Sequence, residues 1–141
     1  MDIVRRNTDY AMRMMVLLGQ GRDGELFSAR EISDREGVSY TLTCKLLQKL
    51  SKAGLVESVM GTAGGFRLAR SSDEISMLDI VGAVQGPVTL NRCMLGLDRC
   101  EKSGECPIRE KLTGLQDYMA DYLKGITLAE LIETKGKMCE K

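Results

Sequence analysis

The sequence predicts a mainly α fold carrying one small β hairpin. Six stretches show helical spacing of apolar residues, helix-capping signals or both, whereas strand-like runs occur only at residues 55–59 and 66–70, on either side of a glycine-rich segment. The size agrees: 141 residues, 43% hydrophobic and 28% charged, fill one core of ordinary size and leave material for an extension. The predicted parts are residues 1–86 around that core, a cysteine-bearing loop over 87–106, and a long helix with a tail over 107–141.

In the first stretch Ala11, Met14, Met15 and Leu18 fall at i, i+3, i+4 and i+7, with Thr8 as the expected N-cap and Gly19 or Gly21 near the end. Ser28-Ala29-Arg30-Glu31 reads as a capping box opening a second, short helix that runs to Glu36 and stops at Gly37. Ser39 then caps a third helix over 40–53, closed by Gly54. Its apolar side is Leu42, Leu46, Leu47 and Leu50, and its outer side is Thr41, Cys44, Lys45, Gln48 and Lys52. Two helices joined by a glycine turn, the second polar and basic outward, form a helix-turn-helix pattern. The hairpin that follows, with its tip at Gly61-Thr62-Ala63-Gly64-Gly65, reads as a wing.

Ser76-Met77-Leu78-Asp79 opens a fourth helix that buries Ile80, Val81 and Val84 and ends by Gly86-Pro87. Beyond the loop, Pro107 suits a first helical position. Apolar residues then recur at Ile108, Leu112, Leu115, Met119, Tyr122 and Ile126, a narrow seam that suits a partner helix and marks this as a dimerisation helix. Thr127-Leu128-Ala129-Glu130 is expected to cap a last short helix before a charged tail at Lys135, Lys137, Glu140 and Lys141.

Twenty basic and twenty acidic residues cancel, but residues 1–70 hold eleven Lys/Arg against eight Asp/Glu, and the remainder nine against twelve. The basic half therefore coincides with the winged helix-turn-helix. On that pattern Ser39, Tyr40, Thr41, Cys44, Lys45 and Gln48 on the third helix, with Thr62, Gly64, Gly65 and Arg67 of the wing, are the candidate contacts to double-stranded DNA. No run of eighteen apolar residues exists to span a membrane, no signal-peptide core follows Met1, and the expected location is the cytoplasm.

The loop places Cys93, Cys100 and Cys106 within fourteen residues. Five cysteines cannot all pair within one chain, which argues against a disulfide framework. Structural zinc favours closely spaced thiolate pairs completed by cysteine or histidine, and the chain has no histidine. Three thiolates on one loop with a fourth place open suit an iron–sulfur cluster. Zinc and ordinary free thiols remain as alternatives on spacing alone, as does an electron carrier, although no second cofactor motif or convergent acid–base set indicates an enzyme.

The order of parts resembles the bacterial iron–sulfur regulators of the IscR and NsrR type. The landmarks are Gly54-Leu55-Val56, Gly64-Gly65, Cys93/Cys100/Cys106 and Ile126-Thr127-Leu128-Ala129-Glu130. The resemblance implies a homodimeric transcriptional regulator, a repressor, whose affinity for operator DNA is set by a cluster, with [4Fe-4S] favoured over [2Fe-2S]. It implies sensing of nitric oxide, redox state or iron and cluster supply. The histidine ligand of the IscR branch is replaced by Arg109, a cation that cannot ligate iron. Thr8-Asp9-Tyr10-Ala11 matches the NsrR-type motif, in which the partner subunit's Asp9 is the fourth ligand. Two further departures are a Cys93–Cys100 spacing one residue longer than usual and Met60 where an arginine often stands before the wing glycine. Cys139 is an alternative thiolate ligand on the tail. A zinc-stabilised, constitutive DNA-binding protein is the competing reading.

Overall fold

The computed structural model describes residues 2–94, 100–102 and 104–140. The elements run α1 (Arg6–Gly19), α2 (Ala29–Glu36), α3 (Tyr40–Lys52), β1 (Val56–Val59), β2 (Gly65–Leu68), α4 (Met77–Gln85), α5 (Pro107–Gly125) and α6 (Leu128–Cys139). Single 3-10 turns lie at Ser72–Glu74 and Arg92–Met94.

Helix α1 starts earlier than a Thr8 cap would place it: Arg5 is the N-cap, without a side-chain capping bond. Thr8 is instead fully buried, and its hydroxyl donates to Gln85 Oε1 at 2.7 Å. The same oxygen accepts from the Arg5 N–H at 3.1 Å, and Gln85 Nε2 donates to the Ile3 carbonyl at 2.9 Å. A tertiary acceptor at the end of α4 has thus displaced the local capping role, and it clasps the chain leading into α1.

The expected core face of α1 holds, with Ala11, Met14, Met15 and Leu18 buried together with Met12 and Leu17. They pack against Ile32 of α2, Leu46, Leu47 and Leu50 of α3, and Ile80, Val81 and Val84 of α4. At about 1.5–3 kcal/mol for each large aliphatic side chain taken fully out of water, this cluster dominates the fold's stability. Thr43 joins the buried face of α3, while Leu42 is only half-buried.

The helix termini follow the sequence with local differences. Ser28 accepts from the Glu31 N–H at 3.1 Å, but the Glu31 carboxylate pairs with Arg35 at 3.0 Å instead of closing the box. Gly37 ends α2 at φ 64°, a left-handed position that favours glycine. Ser39 caps α3 by accepting from the Leu42 N–H at 3.3 Å. Ser76 and Asp79 form a reciprocal box at the start of α4.

Strands β1 and β2 pair antiparallel, Val56 with Leu68 through Val59 with Gly65. Phe27, just ahead of the Ser28 cap, exchanges two backbone bonds with Phe66, at 3.0 and 2.8 Å, and extends the wing sheet by one bridge. A Cβ at Gly64 would run into the Val59 carbonyl, so the tight wing tip depends on glycine there.

Two expectations for the C-terminal half need correction. The last helix is longer than expected: α6 continues through Lys135 and Lys137 to Cys139, which places that thiol in its last turn and not in a frayed tail. It is held by Leu128, fully buried, and by backbone pairing of residues 126–128 with 75–77, where Met77 N–H meets the Ile126 carbonyl and Leu128 N–H the Ile75 carbonyl, both at 2.8 Å. The six-residue seam of α5 also divides. Met119 packs back on the chain's own core, as does its neighbour Leu123 outside the seam, and Leu112 and Ile126 are half-buried, whereas Ile108, Leu115 and Tyr122 are 68, 49 and 63% exposed, beside Tyr118 at 67%. No α5 residue is buried. No helix among the described residues is long and apolar enough to cross a membrane.

Candidate nucleic-acid interface and cysteine loop

Helix α3 turns its leucines inward, so Tyr40, Thr41, Cys44, Lys45 and Gln48 project from the other side. Together with Ser51 of α3, and Ser58 and Phe66 of the wing, they line an open groove of about 640 Å³. The predicted α3 contacts are therefore brought together on one surface, apart from Ser39, whose hydroxyl is engaged in capping. Lys45 and Gln48 are exposed and Cys44 half-buried. Lys49 leaves this face and donates through its ammonium to the Val84 carbonyl at 3.0 Å.

The wing is less simply disposed. Thr62 is exposed at the tip, and Gly64 and Gly65 shape it, Gly65 lying where a Cβ would press on the Phe27 backbone. Arg67 faces Glu57 across the hairpin and pairs with it at 2.9 Å, so its charge is partly compensated within the chain. Met60 is 90% exposed beside the turn. Sequence reasoning missed Ser51, near the C-terminal end of α3, and Ser58 and Phe66, which reach the groove because the hairpin folds back beside α3. It also missed Arg30, whose guanidinium carbon stands 4.5 Å above the Tyr40 ring.

All five cysteines are free thiols. Cys93 sits in the Arg92–Met94 turn, half-buried; Cys106 is the N-cap residue of α5, also half-buried; Cys100 is exposed. The start of the loop is anchored to α5, where the Leu90 N–H donates to Gln116 Oε1 at 3.1 Å. Residues 95–99 and 103, part of the predicted loop, lie outside the described residues. Among the described residues no three cysteine, aspartate or glutamate side chains converge on a position for a single metal ion. Asp9 is exposed in the first turn of α1, beside the Thr8–Gln85 clasp. Arg109 is engaged with other groups of the chain.

Residues 4–134 match the Rrf2 family, described as iron-dependent transcriptional regulators. The chain belongs to the Rrf2 family. A Haemophilus influenzae protein assigned by name to the HTH-type transcriptional regulators is 34% identical over 127 residues, 90% of this chain and 84% of that protein. IscR of Pectobacterium carotovorum is 36% identical over 105 residues, covering 74% of this chain and 63% of the IscR length. Among solved structures, IscR of T. potens superimposes with a TM-score of 0.75 at 26% identity, covering 94% of this chain and 87% of that one. CymR, the global cysteine regulator of B. subtilis, superimposes at 0.76 with 25% identity, covering 95% and 98%. This Rrf2 chain is thus a winged-helix transcriptional regulator directed at DNA, not an enzyme.

Proposed function

We propose that this protein is a homodimeric repressor that reads operator DNA with the α3–wing groove and senses its signal through an iron–sulfur cluster. The observation that carries the DNA-reading part is the groove itself: one continuous surface joins Tyr40, Thr41, Cys44, Lys45 and Gln48 to the inner side of the wing. Lys45 supplies sequence-independent attraction to phosphate, and Thr41 and Gln48 present hydroxyl and amide groups suited to base edges. The exposed stripe of Ile108, Leu115, Tyr118 and Tyr122 supports pairing with a second copy, which would set two recognition helices against two half-sites.

The donor set fits a cluster better than a closed zinc site, because it comprises three unpaired thiols without histidine. That the described residues form no single-ion site in the chain alone is compatible with this, since metal sites are rarely preformed and ligation is coupled to loop closure. Cys93, Cys100 and Cys106 would hold the cluster, [4Fe-4S] in preference to [2Fe-2S], and the partner subunit's Asp9 would complete it. A bound cluster supplies an iron centre responsive to nitric oxide, redox state or iron supply. The residues of the chain do the coupling: Gln85 ties the segment before Asp9 to the last residue of α4, and the cysteine loop begins just beyond it. Ligation of the loop would then bear on how the two recognition helices are spaced, with a coupling of typically 1–3 kcal/mol.

A second reading has support in the similarity to CymR, which is also known in an oxidized form from Staphylococcus aureus at 26% identity over 94% of this chain. In that reading the cysteine thiols respond to oxidation without a cluster. Metal and sulfide analysis with an anaerobic visible spectrum of freshly purified protein separates the readings. Iron and sulfide with brown absorption are expected. Colourless protein with stoichiometric zinc supports the constitutive alternative, and colourless metal-free protein whose DNA affinity changes on oxidation supports the thiol reading. For the groove, Lys45→Ala is expected to weaken binding to every duplex and shallow its salt dependence. Changing Thr41 or Gln48 is expected to alter preference at particular base pairs by about 1–3 kcal/mol.

A further inference from the structure

We infer that Arg30, a residue of α2 outside the recognition helix, is a DNA-backbone contact whose guanidinium is positioned by stacking on Tyr40. This deepens the DNA-binding reading and rests on it. The guanidinium carbon lies 4.5 Å from the Tyr40 ring centroid, within the range at which a cation is attracted to an aromatic face. Tyr40 is the first residue of α3 and lines the groove, so Arg30 is held at the N-terminal end of the recognition helix. In a helix-turn-helix that end approaches the bases, while the preceding helix crosses the backbone.

The chemistry of the two groups fits phosphate in particular. A ring has no hydrogen-bond acceptor comparable to a carboxylate, so a guanidinium held over it keeps N–H donors that can take a phosphate oxygen pair in a bidentate manner. The other arginines nearby are differently engaged. Arg13 is bound to the side chain and the carbonyl of Glu36, Arg35 to Glu31, and Arg67 to Glu57. Arg30 is exposed and lies against a neutral ring, with no carboxylate in ion-pair contact among the described residues. Ordering a long side chain against a ring before DNA arrives also lowers the entropy that the contact must overcome.

The test uses the full chain and a mixed-sequence 30-base-pair duplex, with affinity measured by fluorescence anisotropy across a salt titration. Arg30→Ala is expected to weaken binding about tenfold, as for loss of a charged hydrogen bond, and to lower the salt slope by about 0.9. Arg30→Lys is expected to keep the slope but recover only part of the affinity, because an ammonium lacks the planar fork. Tyr40→Phe is expected to retain the effect of Arg30, while in a Tyr40→Leu background the Arg30→Ala loss is expected to shrink to less than about threefold, the non-additivity that marks two groups acting together. Unchanged melting temperatures in Arg30→Ala and Arg30→Lys would exclude a folding defect. Wild-type affinity and slope in Arg30→Ala, with Lys45→Ala still weakening binding, would overturn the contact and leave the groove reading intact. An equal Arg30→Ala loss with and without the Tyr40 ring would overturn positioning by the stack. If neither wild-type affinity responded to salt nor Lys45→Ala weakened binding, the groove reading itself would fail, and this inference with it.

Discussion

Helices α3 and α5 carry the same kind of amphipathic signal and meet opposite fates. In α3, Leu46, Leu47 and Leu50 disappear into the chain's own core, and apart from Tyr40 the groups that line its outer groove are polar or small. In α5, nineteen residues long, nothing is buried, and Ile108, Leu115, Tyr118 and Tyr122 remain in water. The difference lies in the surroundings: α3 is packed against α1, α2, α4 and β1, while α5 rests mainly on α4 and the turn at Arg92–Met94. Periodicity shows that a helix has an apolar face but not whose core that face belongs to. In the dimer proposed above, the exposed Leu115 and Tyr122 stripe would gain its burial from a second chain.

That contrast can be broken experimentally, and the largest effect is expected at α5. Leu115→Glu combined with Tyr122→Glu would put four unpaired carboxylates into a two-fold interface, and should raise the dimer dissociation constant by about a thousandfold, or about 4 kcal/mol. Sedimentation should then show monomers with an unchanged helical circular dichroism spectrum; an intact dimer would assign the stripe to another role. Met119, although part of the expected seam, is the wrong residue for this test because it packs on the chain's own core.

Next is Leu47→Ala on α3. It removes a fully buried side chain and should cost about 3 kcal/mol of unfolding free energy, within the range for leucine-to-alanine changes in cores. Denaturant unfolding of the monomeric double variant would read this out without the dimer. The matching Ile108→Ala change on α5 in that same background should cost under about 0.5 kcal/mol, as for an exposed position. Equal costs would remove the distinction between the two helices.

A smaller effect is expected at the clasp that sets where α1 begins. Gln85→Ala leaves the buried Thr8 hydroxyl without its acceptor and frees the Ile3 and Arg5 backbone groups, at about 1–2 kcal/mol. Hydrogen exchange should accelerate selectively in the first turn of α1; uniform protection would show that the clasp does not hold that end.

The smallest effect belongs to the exposed Glu133–Lys137 pair on α6, 2.8 Å apart. Lys137 holds the Glu133 carboxyl below its ordinary value by hydrogen bond and charge, and Glu133 raises the Lys137 ammonium in return. A lowered carboxylate pKa stabilises above its unfolded value and loses that contribution as pH falls through the folded one. The raised ammonium loses its contribution as pH climbs through its own folded value. The pair's support is therefore present at neutral pH and lost at both extremes. Glu133→Gln should flatten the acid side of the stability profile only marginally, because both groups are in solvent. A large change would mean that α6 is packed against something further.

Some of this was legible in residues alone because the signals are local. The Ser76–Asp79 box, the Gly37 stop, the Ser39 cap and the α1 core face all depend on residues within a turn or two of one another. So does the placement of Thr41, Cys44, Lys45 and Gln48 on one side of α3, which follows from the leucines opposite them. Where a distant group competed, local reading failed. Gln85, 77 residues away, took Thr8 from its expected capping role. Phe66 drew Phe27 into the wing, and residues 75–77 gave 126–128 a backbone partner that anchors α6. The same holds for function. The sequence by itself determined a regulator's recognition helix, its wing and the thiol inventory, since these are properties of short segments. Tertiary structure alone decided that Arg67 is held by Glu57, that Arg30 stacks on Tyr40, and that Met119 faces inward while Tyr118 faces out. Long-range hydrogen bonds, ion pairs and ring contacts depend on which surfaces are brought together, and no periodicity within a segment carries that information.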